Sequence, residues 1–292
     1  METRRKASLV AAQDDDTERI VEFLCETMLR DHSEAAVRRL IEYRWSGQIP
    51  NRGFMLLDSG RVVGYLGTVY SERMTLVGRT LICNLTAWYV EPEYRAQSLG
   101  LLAATLGQKE YTFTALTPNA TSVSILRRLG FVELSHQFRV YLPVMNLGSL
   151  FAGGAQVLTR SEEITPYLNA SDRTILEDHL ALGCSHVLLV SDREYGYVVA
   201  RRRRLTGRLR GLPISEILYV SNKAFVVKGF ERVKWALMLQ DRSVATAVDD
   251  SVFGQLRPAL GIPRARTRLF RSQVLGANDL DSVYSEIVLL FD

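Results

Sequence analysis

Short apolar runs and apolar stripes at helical spacing follow one another along the first half of the chain, and together they predict a mixed α/β domain. Runs with strand composition predict strands at 7–12, 53–57, 61–70, 80–90, 111–116 and 131–142. Residues spaced three or four apart predict helices at 15–28, 33–47, 99–108 and 120–129. Ser33 is suited to cap the second helix, and Asp58-Ser59-Gly60 is suited to turn a hairpin.

The second half repeats a mixed pattern after a glycine-rich stretch at 146–154, which predicts a linker between domains 1–147 and 148–292. Apolar patterning predicts helices at 171–182 and 229–239 and strands at 186–190, 195–204, 216–220, 243–248 and 282–290. The strand, helix, strand order in 216–248 resembles that in 80–116. This order suggests an internal structural duplication, although no residue-level repeat is visible.

Composition narrows the class of protein. A chain of 292 residues exceeds the usual single domain, and its 47% hydrophobic and 23% charged residues are typical of globular proteins, which excludes intrinsic disorder. Neither a membrane-spanning apolar stretch nor a signal-peptide h-region is visible, so we expect a cytoplasmic protein. Cys25, Cys83 and Cys184 form no disulfide framework or CxxC pair, and the aspartates at 249–250 and 279–281 lack a calcium loop's spacing, so we expect no metal.

Two short stretches of the second half are dense in arginine, within a formal net charge of +4. Dense arginines lie at positions 201–204, 208, 210, 264, 266 and 268. Such density suits an acidic partner such as a phosphate or a polyanion, while the alternative is a solvated strand face balanced by acids elsewhere. Without a zinc-finger, RNP or helix-turn-helix pattern, nucleic acid is disfavoured as the partner.

One segment carries candidate chemistry, at the point where the predicted strand ending at Val90 meets the helix beginning near Leu99. Backbone N–H groups in such a turn, aimed by a helix N-terminus, can hold a pyrophosphate. Ser98 and Gly100 are small where a phosphate would approach the backbone, and Arg95 adds a positive charge. The alternative is a tight connection with no ligand.

The same residues resemble the pyrophosphate loop of the GNAT superfamily of acyl-CoA-dependent N-acyltransferases. They match its pattern as Val90-x-Pro92-x-Tyr94-Arg95-x-x-Ser98-x-Gly100, with Ser98 in place of the first glycine. A second family signature, an Asn followed about eleven residues later by Gly-Phe, matches Asn119 and Gly130-Phe131. The resemblance covers about residues 5–145. It implies the GNAT fold, a mostly antiparallel twisted sheet flanked by helices, here duplicated.

The resemblance also implies a binding site for acetyl-CoA or another acyl-CoA as co-substrate. The strand end at Tyr89 and Val90 would splay and pair with the pantetheine amides, and an N–H near Val90 would face the acyl oxygen. The pyrophosphate would be held by Arg95, Ala96, Gln97, Ser98, Leu99 and Gly100. Asn119 would lie near the pantetheine arm.

The catalytic positions depart from the family pattern. Where many relatives have a glutamate base, this chain has Thr86, with Asn84 beside it; where many have a tyrosine acid, it has Leu126. Threonine and leucine are not general acids or bases at neutral pH, so Glu72, Tyr111 and His136 become substitute candidates. The resemblance therefore implies either direct acyl transfer to a primary amine or, alternatively, an inactive acyl-CoA-binding or scaffolding protein.

The second half shows no counterpart of the loop. Residues 221–229 occupy the equivalent place, and bulky Phe225, Val226 and Val227 replace its small residues. We therefore expect a degenerate copy that binds no CoA. Its arginines favour an acidic or phosphorylated small-molecule amine as acceptor, and a cleft between the halves is the expected place for it.

Overall fold

The computed structural model describes residues 6–45, 47–75, 77–143, 154–205, 211–256, 258 and 261–290. The strands, in chain order, are β1 (Ser8–Ala11), β2 (Gly53–Asp58), β3 (Arg61–Thr75), β4 (Gly78–Val90), β5 (Tyr111–Ala115), β6 (Val132–Tyr141), β7 (Gln156–Leu158), β8 (Cys184–Val190), β9 (Tyr195–Arg204), β10 (Pro213–Val220), β11 (Ala245–Asp249) and β12 (Ile262–Arg271). The α-helices are α1 (Thr17–Glu26), α2 (Glu34–Glu42), α3 (Ser98–Leu106), α4 (Ala120–Arg128), α5 (Ser161–Ile164), α6 (Ala170–His179), α7 (Lys223–Lys228), α8 (Phe230–Asp241), α9 (Asp250–Phe253) and α10 (Glu286–Leu289).

The chain divides into two compact units, and neither is continuous in sequence. The first unit comprises Met1–Val132, Leu269–Leu275 and Tyr284–Phe291. The second comprises Glu133–Arg268, Gly276–Val283 and Asp292. This division differs from the predicted continuous domains 1–147 and 148–292, because short C-terminal segments pack in the first unit. Of the predicted linker 146–154, all but Gly154 lies outside the described residues.

The sheet of the first unit follows the order β1, β2, β3, β4, β5 and the last three residues of β12. Its neighbours pair antiparallel except β4 and β5, which pair parallel. The β2–β3 hairpin turns at Ser59 and Gly60, whose φ angles of 51° and 83° explain the glycine there. As predicted, Ser33 caps α2 by accepting the N–H of Ala36.

The core of the first unit is formed mostly by β3, β4 and β5 with the inward faces of α3 and α4. Tyr70, Cys83, Leu101, Phe113 and Leu126 are among its buried residues. Burying such side chains stabilises the fold by roughly 1.5–3 kcal/mol each. The site described below is therefore built on a packed sheet and not on loops alone.

The second unit repeats the same local arrangement. In the first unit, β3 and β4 pair antiparallel and α3 connects β4 to the parallel strand β5. In the second, β9 and β10 pair antiparallel and α8 lies between β10 and the parallel strand β11. Strand β11 then pairs antiparallel with β6, as β5 does with the end of β12. These matching orders confirm the predicted mixed, mostly antiparallel and duplicated fold.

Two expectations about elements were wrong. The apolar run 282–290, predicted as a closing strand, instead contains the short helix α10, which Ser285 caps by accepting the N–H of Ile287. A short apolar run has no period that separates a buried strand from a buried helix. Helix α2 ends at Glu42 and does not reach Gly47. Trp45, which lies beyond the end of the helix, is nevertheless buried. Among the described residues, no helix is long and apolar enough to cross a membrane.

We predict that His186 makes the stability of the protein pH-dependent. Its ring is 5% exposed, Nδ1 lies 2.7 Å from the Tyr197 hydroxyl, and burial, followed by the neighbouring His179, lowers its pKa to about 4. Between pH 6.5 and 4 the unfolded chain binds this proton and the folded chain does not. The contribution of His186 to the free energy of unfolding is therefore fully present above pH 6.5. It is lost as the pH falls towards 4, which lowers the free energy of unfolding by on the order of 2 kcal/mol.

Urea unfolding at pH 7.5 and pH 4.5 measures this effect, with His186→Gln as the comparison. We expect the difference between the two pH values to be smaller in the variant than in the wild-type protein. Equal pH dependence in both proteins would contradict the assignment to His186.

Candidate functional site

Strands β4 and β5 separate part-way along their length. They pair only from Leu81–Tyr111 to Asn84–Thr114, while the other side of β5 pairs with β12 over Phe113–Ala115. Beyond Asn84, β4 remains paired with β3. The edge of β4 that faces away from β3 is therefore open at Leu85–Val90 to another extended group.

A β-bulge lies within the open part of β4. Tyr65 pairs with Tyr89 and Gly67 with Thr86, so Leu66 alone faces two residues of β4. One of these, Ala87, has a φ of 47°, which is rare for a residue with a side chain. Bulges re-aim the backbone, and here the change of direction falls where the two strands separate.

A cavity of ≈ 730 Å³ lies along the open end of β4. Its lining comes from the end of β4, the start of α3 and one face of α4: Trp88, Tyr89, Val90, Arg95, Ser98, Leu99, Asn119, Thr121, Ser122, Ile125, Arg128 and Leu129. Two arginines and several hydroxyl and amide groups thus share one open groove with apolar walls. This composition suits a long ligand with an anionic end.

The predicted pyrophosphate loop is a 3-10 turn, Pro92–Gln97, that continues directly into α3 at Ser98. The ring of Tyr94 is 1% exposed and its hydroxyl donates to Asp58, which anchors the turn to the β2–β3 hairpin. The N–H of Ser98 donates to the Arg95 carbonyl, so the turn and α3 are continuous, and the positive end of the α3 dipole lies at the turn. Strand, turn and helix therefore stand in the order that the sequence predicted.

The predicted loop residues fall into two groups. Arg95, Ser98 and Leu99 line the cavity. Ala96, Gln97 and Gly100 are not among its lining residues. The Gln97 side chain accepts the N–H of Ala7 at 3.2 Å, and a Cβ at Gly100 would lie 3.3 Å from Leu9 Cδ1, so both pack towards β1.

Asn119 lies at the N-terminus of α4, where its Oδ1 accepts the N–H of Ser122 at 2.9 Å. This capping bond fixes the side chain, and the residue lines both this cavity and a smaller one beside it. Its predicted place near a pantetheine arm stays a prediction.

The smaller cavity, of ≈ 60 Å³, lies where β4 and β5 separate. It is lined by Met28, Leu66, Leu85, Thr86, Ala87, Trp88, Ala115, Thr117, Pro118, Asn119, Ser122 and Leu126. Trp88, Asn119 and Ser122 border both cavities, so the small one adjoins one end of the large groove.

No protein-family model matches the chain, and no curated protein matches it significantly. Solved structures do match. A GCN5-related N-acetyltransferase from Anabaena variabilis aligns with 91% of this chain and 72% of its own at a TM-score of 0.57 and 14% identity. One from Kribbella flavida aligns with 92% and 71% at 0.56 and 15% identity. A protein from Pyrococcus horikoshii aligns with 96% and 93% at 0.54 and 13% identity.

The chain has the GNAT fold. The fold class predicted from residues 90–100, Asn119 and Gly130-Phe131 is thereby confirmed. Within this GNAT fold, the two cavities, the loop and the bulge all belong to the first unit.

The two residues predicted at the catalytic position have different surroundings. Thr86 lines the small cavity. Asn84 is fully buried and lines neither cavity. Its Oδ1 accepts a hydrogen bond from the hydroxyl of Thr114 at 3.0 Å, and its Nδ2 donates to Glu286. Leu126, at the family's tyrosine position, is 2% exposed and forms part of the small cavity's wall.

The three substitute candidates lie away from both cavities' lining. Glu72 is paired with Arg79, whose guanidinium lowers the pKa of the carboxyl and makes it a weaker base. Tyr111 packs edge-on against Tyr70, and burial raises the pKa of its hydroxyl. His136 belongs to the second unit and is largely exposed beside Glu133.

Sequence reasoning missed several residues of the site, among them Arg128 and Thr117. Arg128 brings a second guanidinium to the large cavity, and its spacing was a usable signal, because Asn119, Ser122, Ile125 and Arg128 recur every third residue on one face of α4. Thr117 in the small cavity carried no such pattern.

In the second unit, helix α7 occupies the place of the loop. Phe225 and Val226 pack into the core there, which is consistent with the predicted absence of a phosphate-binding turn. Arg203, Arg266 and Arg268 surround the buried carboxylate of Glu216. Arg202 and Arg204 are exposed on β9, while positions 208 and 210 lie outside the described residues. The acidic or phosphorylated acceptor stays a prediction.

No metal-binding group of three or more His, Cys, Asp or Glu side chains occurs in the part of the chain that the structure describes. Cys83 is a fully buried core residue, and burial raises the pKa of its thiol, so it is not a reactive thiolate.

Proposed function

We propose that the chain is an acyl-CoA-dependent N-acyltransferase that acts on a primary amine. The observation that carries this proposal is the combination of the open, bulged β4 with a groove lined by Arg95, Arg128 and the start of α3. An extended amide chain with a diphosphate at one end matches both parts.

The residues of the groove have distinct roles under this proposal. The backbone of Tyr89 and Val90 pairs with the pantetheine amides along the free edge of β4, as a further strand would. Arg95 and Arg128 bind the phosphates, and the positive end of the α3 dipole favours their negative charge. Bound acyl-CoA supplies the thioester that the amine attacks, and a backbone N–H near Val90 stabilises the oxyanion.

The small cavity favours a short acyl group. Its volume of ≈ 60 Å³ equals about two water molecules in the liquid, and Leu66, Leu85 and Leu126 form part of its wall. We propose acetyl as the transferred group.

Thermal unfolding with CoA, acetyl-CoA and octanoyl-CoA tests the binding part of the proposal. Ligand at a hundred times its Kd stabilises the native state by about 2.7 kcal/mol, which raises Tm by roughly 5–10 °C for a protein of this size. We expect a larger shift with acetyl-CoA than with octanoyl-CoA at equal concentration. No shift with any of the three would contradict the proposal.

Turnover separates the enzyme from a protein that binds acyl-CoA without catalysis, the alternative that Thr86 and Leu126 suggest. Release of CoA thiol is measured with acetyl-CoA and a panel of amines: glucosamine, glucosamine 6-phosphate, spermidine, lysine and tyramine. Amine-dependent thiol release supports the transferase. A Tm shift without turnover for any of these amines favours the binding protein.

A further inference from the structure

A buried carboxylate late in the chain is hydrogen-bonded to Thr117, a residue that lines the small cavity. Glu286 is the first residue of α10, belongs to the first unit and is 2% exposed. A buried carboxylate needs hydrogen-bond donors, and two are in place: Nδ2 of Asn84 donates to Oε2, and the hydroxyl of Thr117 donates to Oε1. The pairing joins residues 202 and 169 positions apart in the sequence.

The orientation of this group is determined by its neighbours. The Thr114 hydroxyl donates to Oδ1 of Asn84, so the Asn84 amide is turned with its N–H₂ towards Glu286. Asn84 and Thr114 are both buried, on the adjoining parallel strands β4 and β5. The carboxylate is thus supported from the last paired position before the two strands separate.

Thr117 connects the carboxylate to the cavity. It is exposed and lines the small cavity with Thr86 and Trp88. Its hydroxyl has one hydrogen, which is donated to Glu286, so its oxygen lone pairs remain available as acceptors towards a group in the cavity. An N–H of a bound amine is a donor of the matching kind.

We propose that Thr117 and Glu286 form a proton relay for the acyl transfer. As the amine approaches, its N–H proton passes to Thr117 Oγ1 while the hydroxyl proton passes to Glu286 Oε1. The nitrogen lone pair forms the N–C bond, and the C–S bond breaks with its electron pair on sulfur. An ammonium substrate loses two protons in all: one ends on the thiolate and the other in solvent. The relay rests on the proposed function above.

Asn84 is a positioning residue in this relay, because it holds Glu286 and is not among the lining residues of either cavity. Three charged or titratable side chains contact α10 or the residues within two positions of it. Arg39 donates to the Leu289 carbonyl, His32 Nδ1 lies 3.2 Å from the Leu290 carbonyl, and Arg73 lies over the ring of Tyr284. Because His32 lies beside the same segment, a His32 variant is the control for Glu286→Gln.

Steady-state kinetics of Glu286→Gln, with acetyl-CoA and the best amine of the panel, test the relay. The substitution keeps the side chain's size and removes its proton-accepting charge. We expect kcat to fall by about 10²-fold or more at pH 7. We also expect the acid limb of the kcat/KM profile to disappear, while the Tm shift with CoA stays that of the wild-type protein.

Threonine variants provide the matched controls. Thr117→Val should lose activity comparably and Thr117→Ser should retain it within about tenfold. Thr112→Val makes the same change five residues earlier, on β5, where the hydroxyl bonds Ser272 outside both cavities, and should leave kcat near the wild-type value. His32→Gln should keep the acid limb.

The outcomes distinguish the relay from the proposed function. If the wild-type protein turns over and Glu286→Gln keeps both its kcat and its acid limb, the relay is overturned and the proposed transferase function stands. An acid limb that disappears only in His32→Gln also overturns it. Absence of wild-type turnover with every amine overturns the transferase and, with it, the relay.

Discussion

Glu216→Gln is expected to lower the free energy of unfolding by about 3–5 kcal/mol. The Glu216 side chain is 1% exposed and forms ion pairs with Arg203, Arg266 and Arg268. Arg268 is itself 1% exposed. Among the described residues, its remaining carboxylate partner after the substitution is Asp249, at 3.3 Å. An uncompensated charge in the interior costs far more than the lost attraction between two solvated groups.

Urea unfolding at pH 7 measures this change, and Glu162→Gln is the control. Glu162 belongs to the same unit and pairs with Arg160 at 3.6 Å, but both side chains are at least 70% exposed. We expect the control to change the free energy of unfolding by less than about 1 kcal/mol. Similar values for the two variants would mean that the buried network contributes little.

The same network predicts a pH dependence. Burial alone would raise the pKa of Glu216, but the guanidiniums of Arg266, Arg203 and Arg268 outweigh it and hold the pKa at about 2. The ordinary value is 4.5, so the unfolded chain takes up this proton first as pH falls. The stabilisation is complete above pH 4.5 and decreases between pH 4.5 and 2; Glu216→Gln should lack this part of the decrease.

The elements predicted best from sequence are those with local causes. The strand at 195–204 has the predicted bounds, and Ser33 caps the predicted helix, because a strand's composition and a cap's side chain act within a few residues. The turn at 92–97 and the helix after it likewise follow from Pro92 and the apolar spacing that begins at Leu99. A turn, cap or strand whose cause lies within a few neighbouring residues can therefore be predicted without knowing how the rest of the chain folds.

What could not be predicted depends on pairing between distant residues. β6 follows the first unit's helix α4 in sequence but pairs with β11, and the end of β12 pairs with β5. No periodicity in either strand specifies its partner, so the sequence suggested two continuous domains. The predicted strand at 282–290 was wrong for a related reason, since a short apolar run takes its conformation from what it packs against.

The candidate site divides in the same way. The turn that we propose binds phosphate could be located from the sequence, because Arg95 and Ser98 lie within one turn and helix start. The proposed proton acceptor could not, since Glu286 joins Asn84 only through the fold. Asn84 itself was singled out as beside the catalytic position, but the structure shows it turned into the interior to hold that carboxylate.

Replacing Arg95 and Arg128 together by Ala is expected to weaken CoA binding by roughly 10²–10⁴-fold. Charge-assisted hydrogen bonds contribute about 1.5–3 kcal/mol each, and both arginines line the same groove. Each single variant should lose about half of the binding free energy that the double variant loses, if the two guanidiniums bind different phosphates. Isothermal titration calorimetry with CoA measures these affinities.

Pantetheine, which lacks the phosphates, provides the deciding comparison. If the arginines bind phosphate, the affinity for pantetheine should be nearly the same in the wild-type protein and in the double variant. Arg127→Ala is the matched protein control, because Arg127 is exposed, precedes Arg128 on α4 and is not among the cavity's lining residues. It should change CoA affinity by less than about threefold, within the range of a surface substitution. An equal loss of CoA and pantetheine binding in the double variant would show that the arginines support the groove's shape, and the phosphate end of the site would then have to lie elsewhere.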